Sequence, residues 1–471
     1  LFLSLTTVSF SANILYLSNI RSPSHFIWCK SLLRSLHERG HNITAVSPDV
    51  ANATLSGSLV YPSFFPSPDS TLPQSMNFQQ RIQMTLQTVA EIIIDDYAML
   101  PKVNEMVQKV HPGIPYVLDI EVKATKLILL NTQPISDFRQ PSMPIVKLVG
   151  GAQIQKPKEL PAELKVIADR AKNGLVLFSL GTNVRSDSLG EEKIVKIIKA
   201  RLPKYTFLWK FEAKEKLPIE LPKNVQIQPW MPQNDILAHN NTKLFISHSG
   251  LLSTQEAFWY GVPVLGFPVF ADQPQNAFRL REKGVSETLS IFDFTENELY
   301  ETVKKLLEDP KYQKNMKSIS GALHDLPMTP IEEATYWTEW VLRHPEVDLS
   351  TPSVKLSMFV RHSLDVYTLF IAIILLVVYI FTAAALETAI SIYMNIQYSP
   401  GIPSWETYPY LEDVRHQGTY SCRYQSSTSV GQTTGYGRIP AGDEETLARV
   451  VSRTAVVCAM NSELDTFSFY K

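Results

Sequence analysis

Cysteine is nearly missing. Cys29, Cys422 and Cys458 are the chain's 3, too few and too scattered for a disulfide framework or a zinc site. Cys29 falls on the apolar face of an expected helix, where a buried thiol is the ordinary reading. A charge excess is missing too: Lys and Arg number 44 against 46 Asp and Glu, a formal net charge of −2. No basic stripe suits nucleic acid and no acidic run suits a solvating tail. No internal repeat of solenoid period is present. What remains is a chain of 471 residues, long for one core and suited to two domains with additions.

Two apolar segments bear on the compartment. Residues 1–12, LFLSLTTVSFSA, read as the apolar stretch and small-residue end of a secretory signal peptide. Residues 366–386 carry no charge and, as a helix, span a hydrocarbon core of ~30 Å. A buried core helix of that length shows a polar face and this segment has none, so a single membrane anchor is expected. Lys355 and Arg361 before the span argue for a cytosolic body. The signal-like start argues the opposite, as do the sequons Asn42-Ile-Thr44, Asn52-Ala-Thr54 and Asn240-Asn-Thr242. The signal segment carries more weight, so the main body is expected in the secretory lumen.

Between these segments the pattern is α/β. NILYLSN (13–19), a helix from about His25 to Gly40 and NITAVSP (42–48) read as a βαβ unit. Residues 49–75 are rich in Pro and Ser and read as loop, 76–109 as mainly helical, and KLILLNT (126–132) and IVKLVGG (145–151) as strands. These define a first domain, 13–151. QIQKPKELPA (152–161) reads as a linker. From 162 to 350, the strands GLVLFSLG, YTFLWKF, VQIQPW, KLFISH and VPVLGFP alternate with helices, as in a doubly wound domain whose ligands bind at the carboxyl ends of its strands. Residues 387–471, rich in Ser, Thr, Tyr and Gly, read as a largely disordered tail.

The densest chemistry lies between 230 and 273: Trp230-Met-Pro-Gln233, His248-Ser-Gly250-Leu-Leu-Ser253-Thr-Gln-Glu256 and Asp272-Gln273. The Trp230 indole can stack on a uracil ring, with Gln233 reaching base or ribose; a core position is the plainer reading of a lone Trp. Gly250 lets the backbone turn before a helix at Ser253, whose free amides and dipole attract an anion. There the amides and His248 would neutralise a diphosphate without a metal. Ser253 and Glu256 fit a capping box, and for Glu256 a ribose-hydroxyl contact is an equal reading. Asp272 is a good N-cap and, with Gln273, a partner for sugar hydroxyls. Ser179-Leu-Gly181-Thr182 offers hydroxyls and amides to the same diphosphate. His25, at the start of the first helix, is the candidate base, because the adjacent dipole favours a neutral ring that can take a proton near pH 7.

The joint spacing of Trp230, Gln233, His248, Gly250, Ser253, Glu256, Pro263, Pro268, Asp272 and Gln273 resembles the signature of the UDP-glycosyltransferases. The wording HSGLLSTQEA is most similar to arthropod members, with Ser249 where those usually have a second glycine. SPSH, VKLVGG, FSLGT and YWTEWVLRH extend the resemblance from about residue 12 to 386. It implies a GT-B fold, two Rossmann-like doubly wound domains facing across a cleft, with a C-terminal transmembrane helix. It also implies an endoplasmic reticulum location, a UDP-sugar donor, a small lipophilic acceptor, inverting transfer with His25 as base, and no metal or cofactor. The first domain is shorter than the family's, and the strand bearing the aspartate that orients the base is missing; Asp96, after EIIID, is the stand-in. A second reading is therefore a UDP-sugar-binding protein with impaired catalysis, and a third a GT-B sugar-nucleotide epimerase. No nucleic acid is expected as partner, and a homo-oligomer stays open.

Overall fold

The computed structural model describes residues 11–17, 23–46, 61–67, 70–110, 112–113, 115, 125–139, 141–182 and 184–397. The chain divides into one compact unit up to His362 and a second from Ser363 onward. The expected first domain, linker and second domain all belong to the first unit.

Near the start, β1 (Asn13–Leu17) and β2 (Asn42–Val46) pair in parallel across the helix Pro23–Glu38. This is the expected βαβ unit. β3 (Ile128–Leu130) and β4 (Val146–Leu148) form a separate parallel pair, shorter than the strands read from the sequence. Hydrogen bonds between the two segments continue past the paired residues, from Val149 N to the Leu130 carbonyl at 2.8 Å and from Gly150 N to the Thr132 carbonyl at 2.9 Å. The helical stretch between the pairs comprises Phe78–Ile94, a π-helical turn Asp95–Met99 and Leu100–Val110.

The second half is a six-stranded parallel sheet: β5 (Leu175–Ser179), β6 (Thr206–Lys210), β7 (Val225–Gln228), β8 (Thr242–Ser247), β9 (Val264–Gly266) and β10 (Ser286–Thr288). Their spatial order is β10-β9-β8-β5-β6-β7. A strand presents alternate residues to opposite faces, and these strands are apolar on both. Val176, Phe178, Trp209, Leu244 and Ile246 join one core with Ile194, Ile198, Leu299 and Val303. Leu175, Leu177, Leu208 and Phe245 join the other with Leu164, Ala168, Phe258 and Leu280. Helices therefore cover both faces, as buried parallel strands require. Phe178 stacks on Trp209 with centroids 5.0 Å apart, and the indole N–H donates to Ser186 Oγ at 3.0 Å, so this large core side chain hides no orphan donor.

In the second unit, the helix Leu364–Gln397 is apolar all round, with a mean hydropathy of 2.9 in its most apolar 18-residue window. It runs past the expected end at residue 386, because the lone Glu387 is followed by a further helix-compatible apolar stretch.

Candidate functional site: a crevice at the carboxyl edge of the sheet

β6 and β7 lie beyond β5, while β9 and β10 lie beyond β8. The winding thus reverses between β5 and β8, and a crevice opens at their carboxyl ends. Their last paired residues are Ser179 and Ser247, and both use the same device. Ser179 Oγ accepts from Gly181 N at 3.3 Å and Ser247 Oγ from Ser249 N at 3.1 Å, turning each chain out of its strand. Ser179 is buried and its oxygen is engaged in this turn. Gly181 and the exposed Thr182 are the groups nearer the opening.

The His248 ring fills the gap between the two turns. A Cβ on Gly181 would stand 2.5 Å from its Cε1, and one on Gly250 2.5 Å from its Nε2, so neither position has room for a side chain. Gly181 also takes a φ of 80°, which suits glycine. Gly250 has an ordinary φ of −64°, so its role is to make room for the ring, not to permit a turn. Burial pushes the His248 pKa down to about 4; Asp272 opposes the shift and Lys210 adds to it. The imidazole is therefore neutral near pH 7, with a buried and unpartnered Nδ1. A neutral ring offers hydrogen bonding rather than positive charge. The nearby cation is Lys210, the last residue of β6, whose Nζ lies 2.6 Å from the Gly181 carbonyl and 3.0 Å from Glu212 Oε1.

Helix Leu251–Tyr260 begins here, with Gly250 as N-cap and no side chain capping it. The capping-box reading of Ser253 and Glu256 falls, since Ser253 sits inside the first turn. Both turn to Gln233 instead, whose Nε2 donates to Ser253 Oγ at 3.0 Å and to Glu256 Oε2 at 2.7 Å. Burial raises the Glu256 pKa to about 7, with the Gln233 hydrogen bond pulling against it. Trp230 lies just past β7 and is 69% exposed, so the core reading of this indole falls as well. At the opposite end, Asp272 precedes helix Gln273–Glu282 but does not cap it; its Oδ2 accepts from Asn276 Nδ2 at 2.7 Å. Gln273 Oε1 accepts from Val269 N at 2.8 Å and Phe270 N at 3.2 Å, leaving its amide N–H groups to donate. Among the described residues, no group of three or more His, Cys, Asp and Glu side chains is arranged to hold a metal ion.

Residues 47–394 match the family described as UDP-glucoronosyl and UDP-glucosyl transferase. The chain belongs to that family. UDP-glucosyltransferase 2 of Dactylopius coccus is 34% identical over 311 residues, covering 65% of this chain and 60% of the relative. UDP-glucuronosyltransferase 2B15 of Homo sapiens is 31% identical over 328 residues, 69% of this chain and 61% of the relative. The chain thus spans about three-fifths of the length of these curated relatives. Among solved structures, the spinosyn forosaminyltransferase SpnP is similar with a TM-score of 0.48 and 16% identity, over 70% of this chain and 99% of that one.

In this family member, the candidate base His25 lies in the first turn of helix Pro23–Glu38 and Asp96 in the π-helical turn. The side chains of both lie outside the described residues. Three residues of the crevice escaped the sequence reading: Lys210, Asn276 and Arg279. Lys210 was signalled as the lone charge closing the apolar strand TFLWK. Asn276 and Arg279 follow Asp272 at i+4 and i+7, the spacing of one helix face.

Proposed function

We propose that this chain transfers a hexose from UDP-glucose or UDP-glucuronate to a hydroxyl of a small lipophilic acceptor, as a single-pass protein of the endoplasmic reticulum membrane with its body in the lumen. The observation that carries the reading is the convergence, at one sheet edge, of an exposed indole, a half-buried amide–carboxylate pair, an uncapped helix N-terminus and an aspartate. Trp230 stacks on uracil and Gln233 with Glu256 takes the ribose. The amides after Gly250, with Lys210 and His248, receive the diphosphate, and Asp272 and Gln273 hold sugar hydroxyls. His25 takes the acceptor proton as the acceptor oxygen bonds to the anomeric carbon from the face opposite UDP. The bond to the β-phosphate oxygen breaks with its electron pair on UDP, inverting the centre; the amides and Lys210 stabilise the leaving charge. The apolar helix Leu364–Gln397 is long enough to anchor the chain in a bilayer.

One observation favours the second reading, a UDP-sugar binder with impaired transfer. In the first half Phe78, Leu86 and Tyr97 stand exposed at 68%, 67% and 79%, an apolar face without cover among the described residues. Microsomes expressing the full chain, supplied with each UDP-sugar and a phenol, separate the two. Glycoside and free UDP that disappear with His25→Ala support transfer. No product, together with UDP protection against heat, leaves the binder; absence of both sinks the donor site itself.

A further inference from the structure

Helix Gln273–Glu282, which starts at the sugar end of the crevice, also faces the first half of the chain. Gln275 Nε2 donates to the Ser67 carbonyl at 2.7 Å, Arg279 Nη1 pairs with Asp137 Oδ1 at 3.0 Å, and Lys283 Nζ reaches the Ile135 carbonyl at 3.2 Å. These three positions, each four apart, make one polar ridge. Asp137 is 4% exposed, and its other oxygen accepts from Gln133 N at 2.8 Å and Thr132 Oγ1 at 3.1 Å. A buried carboxylate held on all sides is a fixed point.

Asn276, 1% exposed, carries that fixed point to the crevice. Its Nδ2 donates to the Ser249 carbonyl at 2.9 Å and to Asp272 Oδ2 at 2.7 Å, and its Oδ1 accepts from Arg279 Nη2. Both amide protons and the oxygen are engaged, so a flip of the amide would break all three bonds at once. Asp137 orients Arg279, Arg279 selects the Asn276 amide orientation, and Asn276 sets Asp272.

We propose that Arg279 and Asn276 are positioning residues through which the first half of the chain, at Asp137, sets the Asp272 carboxylate for the donor sugar. The proposal rests on the reading of Asp272 as a sugar contact. A network serving only stability would affect every ligand alike, whereas this one discriminates between UDP with and without its sugar.

The test is binding of UDP, UDP-glucose and UDP-glucuronate to the full chain solubilised from membranes, without need of turnover. Arg279→Lys keeps the charge but loses the fork, and the pair Asp137→Asn with Arg279→Gln removes both charges, so that neither is left buried and unpaired. With secondary structure intact, the expected result is a Kd for the sugar nucleotide weakened about tenfold, about 1.4 kcal/mol, while the UDP Kd stays within about twofold. Asp272→Asn should produce the same selective loss, and combining it with Arg279→Lys should add nothing. Equal weakening for UDP and UDP-sugar overturns the proposal, as does no weakening in a folded variant, or full additivity in the combined one. Wild-type chain that binds neither UDP nor a UDP-sugar overturns the donor-site reading and this proposal with it. Binding of both, with variants that do not discriminate, overturns this proposal alone.

Discussion

Two titratable side chains in the crevice have been moved across the physiological range in opposite directions. His248, at about 4 in the folded chain, lies below its ordinary 6.5. The unfolded chain takes that proton first, so stability falls as pH is lowered from 6.5 toward 4. Glu256, at about 7, lies above its ordinary 4.5. Here the folded chain holds the proton, so the contribution is full below pH 4.5 and lost as pH rises through 7. Each shift corresponds to about 3 kcal/mol, and between pH 4.5 and 6.5 the two slopes offset one another. His248→Gln should unmask the Glu256 slope, a stability that only declines from pH 4.5 to 7; Glu256→Gln should unmask the reverse. Urea midpoints across this range test both, and a slope unchanged by either variant would refute the assignment. Ser249 adds a local cost: a non-glycine residue at φ 63° with a buried, unpartnered hydroxyl. Left-handed backbone at this turn explains why glycine suits the position.

At the scale of elements, the helices differ in who caps them. Glu296–Glu308 and Pro330–Arg343 both start with a complete capping box, Thr295 with Glu298 and Thr329 with Glu332. Helix Leu251–Tyr260 starts at Gly250, which offers no side chain, so its first amides have no side-chain cap. Thr295→Ala and Thr329→Ala should each cost about 1 kcal/mol of stability and leave UDP protection intact, measured as thermal midpoints with and without UDP. A loss of the UDP-induced shift in either variant would contradict this separation. The strands follow simpler rules: residues 175–179 are buried throughout, the pattern of a central parallel strand, and such runs were legible in the sequence.

Across the whole molecule, helix Leu251–Tyr260 reaches the first half through Gln255 at Asn131, and two further helices of the second half hold it. One is Gln273–Glu282, through Asp137 and the neighbouring carbonyls. The other is Pro330–Arg343, where Thr335 meets Ser35 at 2.9 Å and Glu339 accepts from both nitrogens of the Arg39 fork, one at 2.7 Å. Lys147 adds a contact 3.7 Å from the Trp337 ring centroid. The apolar helix of the second unit sets a different property. Deleting residues 363–471 should release the chain from membranes into the alkaline-carbonate supernatant, whereas the full chain should stay with the pellet; a full chain that is itself extracted would refute the anchor.

Amino-acid order by itself determined the alternation of strands and helices, the apolar span and the cluster from Trp230 to Gln273. These depend on local periodicity and on spacing within one stretch of chain, which a linear reading can see. Tertiary structure alone decided between meanings that one residue carries equally well in a line. Ser253 and Glu256 bind Gln233 rather than a helix start, Trp230 is exposed rather than core, and His248 is neutral because both turns enclose it. The physical reason is the same in each case. Capping, exposure and desolvation depend on which distant groups come near, and Lys210 reaches the crevice from β6, whose sequence says nothing of the other elements.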